Sequence, residues 1–129
     1  MPIRSDSRNH KFIPISRFQI MRLMGAVDSY RRRRKVYTLE EIGTIVVPIA
    51  RSYGAGQVMA FGSYAKGIAG PESDVDLLVD PGEIRSYFRF ATMATYMRNA
   101  LGKEVDVVSS GCNPRFIDGI REDLVVLHE

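Results

Sequence analysis

The twenty residues from Phe61 to Asp80 read FGSYAKGIAGPESDVDLLVD and hold most of the side chains in this chain that could do chemistry. Gly62-Ser63 follows a short apolar run and opens a helical turn, where free backbone amides can meet a triphosphate. Gly62 lets the backbone approach an anion closely, and Ser63 offers a hydroxyl to a phosphate oxygen. Asp74 and Asp76 lie two apart on an expected strand, so both carboxylates point to one face while Val75, Leu77 and Val79 take the other. Asp106 repeats the style in KEVDVV, between Val105 and Val107. If the two strands are neighbours, three carboxylates meet on one surface.

Such a cluster is costly by itself. Two like charges ~4 Å apart repel by about 4 kcal/mol at an effective dielectric of 20, and three pairs by on the order of 10 kcal/mol before relaxation and proton uptake. A fold keeps the cluster when a cation neutralises it, and hard oxygen ligands with open positions suit Mg²⁺, which retains water and substrate phosphates. A D-x-D pair alone is common at solvated strand ends, and a Gly-Ser pair is weaker still. The weight rests on their joint order: strand, Gly-Ser, ten residues, D-x-D on a strand, then a third strand Asp. Asp80 directly precedes Pro81-Gly82 and reads as a turn residue.

The elements that must position these groups follow from periodicity. Residues 1–15 look irregular, and Ile20, Leu23, Met24 and Val27 suggest a short amphipathic helix from Ser16 to about Tyr30. Thr38 and Glu41 form a capping box ahead of a helix whose Leu39, Ile42, Val46, Ile49 and Tyr53 line one face, with Pro48 expected to bend it. Gln57–Phe61 reads as a strand, 63–68 as one or two helical turns, and Val75–Asp80 as the clearest strand. A helix from about 83 to 101 is expected to turn Ile84, Phe88, Ala91, Ala94 and Leu101 inward and stop at Gly102. Glu104–Val108 is another strand, Asn113-Pro114 starts a short helix to about Arg121, and Leu124–Leu127 closes as a strand. This alternation predicts an α/β fold, a small mixed β-sheet flanked by helices.

Composition sets the class. The chain has 129 residues, 45% hydrophobic and 26% charged, with no Trp, which suits one ordinary globular domain. No apolar run approaches ~18 residues, so no membrane span is expected, and the start lacks the apolar stretch of a secretory signal. The single Cys112 excludes an internal disulfide, which makes a reducing cytoplasm the expected compartment. Charge divides the chain into a basic N-terminal extension, 1–37, with ten Lys/Arg against two Asp, and an acidic remainder, 38–129, with eight against thirteen. The run Arg31–Lys35 could touch nucleic acid or an acidic partner, or simply be solvated.

The motifs GSYAKG, SDVDLLV and KEVDVV resemble the signature of the nucleotidyltransferase (DNA polymerase beta-like) superfamily. The resemblance is narrower to the minimal nucleotidyltransferases (MNT) paired with HEPN toxins in prokaryotes, and covers roughly residues 38–129. The basic extension departs from that pattern. The resemblance implies a nucleotidyltransferase fold in which Asp74 and Asp76 bind Mg²⁺ and the triphosphate. Asp106 would complete a second metal site or accept the acceptor hydroxyl's proton. Gly62 and Ser63 would hold the outer phosphates, and Lys66 would reach them as a point charge, although an exposed helix lysine is ordinarily only solvated. About 20 residues follow the third carboxylate strand, too few for an acceptor-binding domain, so another chain is expected to hold the acceptor. The implied reaction moves AMP from ATP to a tyrosine of a HEPN ribonuclease toxin, silencing it as an antitoxin. Two alternatives stay open: a catalytically silent scaffold that inhibits by binding, and an accessory subunit that binds nucleic acid through Arg31–Lys35. A homo-oligomer is compatible with any of them.

Overall fold

Thr38 starts the first helix in the manner its neighbours dictate. Its hydroxyl accepts from the Glu41 amide at 3.0 Å while the Glu41 carboxylate accepts from the Thr38 amide at 2.9 Å, so two otherwise unpaired amides are satisfied together. The computed structural model describes residues 34–129. The expected helix over 16–30, the irregular segment before it and Arg31–Arg33 lie outside the described residues.

Within them the order is α1 (Leu39–Ser52), β1 (Val58–Phe61), α2 (Gly62–Lys66), β2 (Val75–Val79), α3 (Tyr87–Leu101), β3 (Val105–Ser109), α4 (Pro114–Ile120), a 3₁₀ turn (Arg121–Asp123) and β4 (Val125–Val126). The sheet order is β3-β2-β1-β4. β1 runs antiparallel to β2 and β4, and β2 runs parallel to β3 through the crossover helix α3. The mixed sheet flanked by helices is the architecture expected from the alternation of periods.

The core forms on the sheet face that carries Val58, Ala60, Val75, Leu77, Val79 and Val105. Ile42, Val46 and Ala50 of α1 and Met93, Met97 and Leu101 of α3 pack onto it. Tyr37 is buried there too, its hydroxyl donating to the Leu101 carbonyl. α1 continues through Pro48, which sits on its exposed side.

The long helix starts at Tyr87 and not near residue 83, because the Ser86 hydroxyl accepts from the Phe88 and Arg89 amides and caps it there. That start rotates the inward face. Met93, Ala94, Met97 and Leu101 are buried at helical spacing, whereas Phe88 is 78% exposed and Ala91 is exposed as well. Ile84 is buried as expected, but from the turn before the helix. The last strand is shorter than Leu124–Leu127, since a 3₁₀ turn occupies Arg121–Asp123 and only Val125 and Val126 pair with β1.

The C-terminal segment closes over α1. The Leu127 amide donates to the Val58 carbonyl at 2.9 Å, and a Cβ placed on Gly43 would lie 2.1 Å from the His128 carbonyl oxygen. Gly43→Ala is therefore expected to destabilise the protein despite alanine's better helix propensity, by about 1–3 kcal/mol for an overpacked contact. A thermal melt checks it, and a variant as stable as wild type would show that the C-terminal segment yields freely.

Candidate active site

The expected carboxylates are brought together by the register of β2 on β3. Asp76 and Asp106 are direct partners in that parallel pair, and Phe61, the last residue of β1, is Asp76's partner on the other side. Alternation puts Phe61, Asp76 and Asp106 on the face opposite the main core. Phe116 of α4 packs edge-on against Phe61, ring centroids 5.6 Å apart, beside the site.

Asp76 is half-buried, and its pKa is pushed up to about 6. Burial is the largest cause, followed by the charge of Asp106, a shared hydrogen bond with Asp106 and the charge of Asp74. The two carboxyl groups are thus close enough to contend for one proton. Asp106 and Asp74 are exposed. Asp74 lies one residue ahead of β2 and not on the strand, so it contributes to the cluster from a loop. Among the described residues, no three His, Cys, Asp or Glu side chains already form a group that could hold a metal ion. The structure brings Asp76 and Asp106 together and leaves Asp74 the outermost of the three.

Gly62 is the hinge between β1 and α2. It has φ +72°, which favours glycine, and a Cβ there would lie 2.2 Å from Asp76 Oδ2. Among the described residues, no side chain caps the start of α2, so the amides of its first turn are open to an acceptor. Ser63 stands in that turn. Lys66, at its end, points toward Asp123, 3.8 Å away, in an exposed pair. Tyr64 of the same turn is buried in the core, and burial raises the pKa of its hydroxyl.

Two positioning residues have signals too generic to stand out in the sequence. Ser73 closes the loop ahead of Asp74: its hydroxyl accepts from the Gly70 amide at 2.9 Å, and its own amide donates to the Gly70 carbonyl. Lys103 is buried and donates to the Pro71 carbonyl at 3.1 Å and the Lys35 carbonyl at 2.8 Å, tying the same loop to the chain before α1. Burial pulls its pKa down, while the charges of Glu72 and Asp74 oppose that. Asp80 is a turn residue, its Oδ1 accepting from the Gly82 amide at 3.0 Å.

Oxygen donors on adjacent strands, with one pKa raised by burial and then by neighbouring carboxylates, suit a hard divalent cation such as Mg²⁺. Beside them, the open amides of α2 suit a phosphate chain. A metal–phosphate site of this kind can stabilise charge on a phosphoryl group under attack by a hydroxyl.

Comparison with known proteins agrees with this chemistry. The family described as Polymerase beta, Nucleotidyltransferase matches residues 46–129. A protein of Thermococcus cleftensis named protein adenylyltransferase MntA is 40% identical over 75 residues, covering 55% of this chain and 76% of its own. A Methanocaldococcus jannaschii protein to which protein adenylyltransferase activity is ascribed is 33% identical over 88 residues, covering 67% of this chain and 95% of its own. A solved structure described as a minimal nucleotidyltransferase superposes with a TM-score of 0.59 at 32% identity, over 69% of this chain and 95% of that one. A toxin–antitoxin structure with AMP-PNP, at 18% identity and a TM-score of 0.58, covers 65% of this chain and 70% of its own and shares the fold.

Proposed function

The chain belongs to the Polymerase beta nucleotidyltransferase family, and from that premise we propose that it transfers AMP from ATP to a tyrosine of a HEPN-type ribonuclease toxin, acting as its antitoxin. The observation that carries this reading is the Asp76–Asp106 pair set against Gly62 at the open start of α2. The protein acceptor and the adenylyl donor rest on the activity of the relatives and on the motifs GSYAKG, SDVDLLV and KEVDVV.

In this reading Asp76 and Asp106, joined by Asp74, hold Mg²⁺, which supplies neutralisation of the phosphate charge. Gly62 and the amides of α2 grip the outer phosphates, and Ser63 donates its hydroxyl to one of them. The acceptor's hydroxyl oxygen attacks the α-phosphorus in line. The bond from that phosphorus to the bridging oxygen breaks and pyrophosphate leaves with the electron pair. Asp106, exposed on the outer strand, takes the hydroxyl proton. Lys66, at the end of α2, would reach the phosphates as a point charge once it leaves Asp123, a pairing that solvent keeps weak.

No helix among the described residues is long and apolar enough to cross a membrane. Incubation of the full chain with ATP, Mg²⁺ and a HEPN-type toxin partner should add the mass of one or more AMP groups to a toxin tyrosine. Unmodified toxin after complete complex formation would overturn the transfer reading.

A further inference from the structure

We propose that the acceptor protein docks, through an acidic extended segment with apolar side chains, in the groove between α3 and the outer edge of β3; this rests on the transfer reading above. The groove has a volume of about 520 Å³ and is lined by Ile84, Arg85, Tyr87, Phe90, Arg98 and Val107, among others. Tyr87, which lines the groove, is 88% exposed, and Phe88 next to it in the chain is 78% exposed, a large aromatic surface for two adjacent residues at a helix start.

The strand beside the groove has an open edge. β3 pairs only with β2 among the described residues. The bonds from the Val75 amide to the Glu104 carbonyl and from the Ser110 amide to the Val79 carbonyl fix which backbone groups face inward. By the alternation of a parallel pair, Val105, Val107 and Ser109 direct theirs outward. Arg98 Nε occupies the Val105 carbonyl at 2.9 Å, and the Cys112 amide occupies the Ser109 carbonyl at 3.0 Å. Among the described residues, the amide and carbonyl of Val107 are left to pair with an added strand, while the groove takes its side chains.

Charge selects the occupant. Arg85 and Arg98 are the charged residues that line the groove and none of its lining residues is acidic, so the groove attracts an acidic segment. The chain's own residues 1–37 carry a net charge of +8 and are the wrong sign to fill it.

Position identifies that segment with the acceptor. Asp76 lies against Gly62 on the β1 side, where the phosphates would bind, so an incoming hydroxyl has its open approach over β3. β3 presents exposed Asp106 on one face and Val107 to the groove on the other. A protein clamped on this edge is therefore held beside the carboxylates.

The test uses the full chain and a HEPN-type toxin partner with its ribonuclease site inactivated. Arg85→Glu and Ala91→Arg, both at exposed positions lining the groove, should each weaken toxin binding at least tenfold. ATP binding by the chain alone should be unchanged, and Arg85→Lys should bind the toxin nearly as wild type does. Wild-type affinity in both the Glu and the Arg variant would overturn the proposal. So would protection of the Val107 amide from exchange in the free chain, which would mean that the chain's own arm fills the groove. A change in the free chain's sedimentation caused by either variant would assign the groove to a second copy and overturn it too. AMP transfer with undiminished affinity in the variants defeats the docking site alone. Tight groove-dependent binding without AMP transfer leaves docking standing and defeats the transfer reading.

Discussion

Under the proposed function, Gly62→Ala should lower the rate of AMP transfer by about a hundredfold or more, because it displaces a carboxylate proposed to be catalytic that the substitution never touches covalently. The added Cβ would lie 2.2 Å from Asp76 Oδ2, far inside contact distance, so the carboxylate must swing away from its place beside Asp106. The backbone adds its own objection, since φ at this position is +72° and an L side chain there costs about 1–2 kcal/mol. The opening of α2 would be disturbed with it. Single-turnover assays at saturating ATP separate the two losses: displacement of Asp76 lowers the chemical rate, and disturbance of the phosphate turn weakens ATP binding. Transfer within threefold of wild type would mean that neither the close approach nor the turn geometry matters. Gly67 offers a control of the same type, with φ +76° but open space around its Cβ position. Gly67→Ala should carry the backbone cost with little loss of transfer.

Asp76→Asn should abolish transfer to on the order of one part in a thousand, the scale for losing a group that stabilises transition-state charge. The same change should make the metal-free protein more stable. The folded carboxyl has its pKa raised to about 6 from an ordinary value of 3.8. The folded state therefore holds that proton more tightly than the unfolded chain does. This group's stabilising contribution is present below about pH 4 and is lost as pH rises through about 6. Above that range the ionised carboxylate, half-buried beside Asp106, works against folding. The site is open enough for solvent to screen much of this, so the gain from asparagine at pH 7.5 is on the order of 1 kcal/mol, a rise of several degrees in Tm. Wild type should lose stability between pH 4.5 and 7 more steeply than the variant. Adding Mg²⁺ should raise the Tm of wild type at pH 7.5 and leave the variant nearly unmoved. Equal Mg²⁺ stabilisation of both proteins would remove Asp76 from the cation site, and identical pH slopes would remove it from the crowded pair.

Much of the site was legible because its signals are local. A glycine that lets the backbone approach an anion, a serine after it and carboxylates spaced by two are patterns that operate over a few residues. The capping box at Thr38 and Glu41 is another such pattern, and it stands where the sequence places it. The inward face of α3 was not legible in the same way. Its sequence is apolar on several sides, so periodicity leaves Phe88 and Met93 as equal candidates, and the choice depends on where Ser86 starts the helix and on what α1 and the sheet leave room for. Ser73 and Lys103 were invisible for a related reason. A serine before an aspartate and a lysine before a strand are commonplace until a loop is seen folded onto them.

The order of helices and strands among the described residues, the turn at Gly62-Ser63 and the set of acidic residues available follow from sequence, since each depends on interactions spanning a turn or a strand. Only the tertiary structure shows that Asp106 stands beside Asp76, that Asp74 joins them from a loop, and that, among the described residues, β3 lies at the sheet's edge. Those outcomes pair segments about 30 residues apart. Which strand lies next to which is settled by how the helices cover the whole sheet, a balance of buried area that no short stretch of sequence contains.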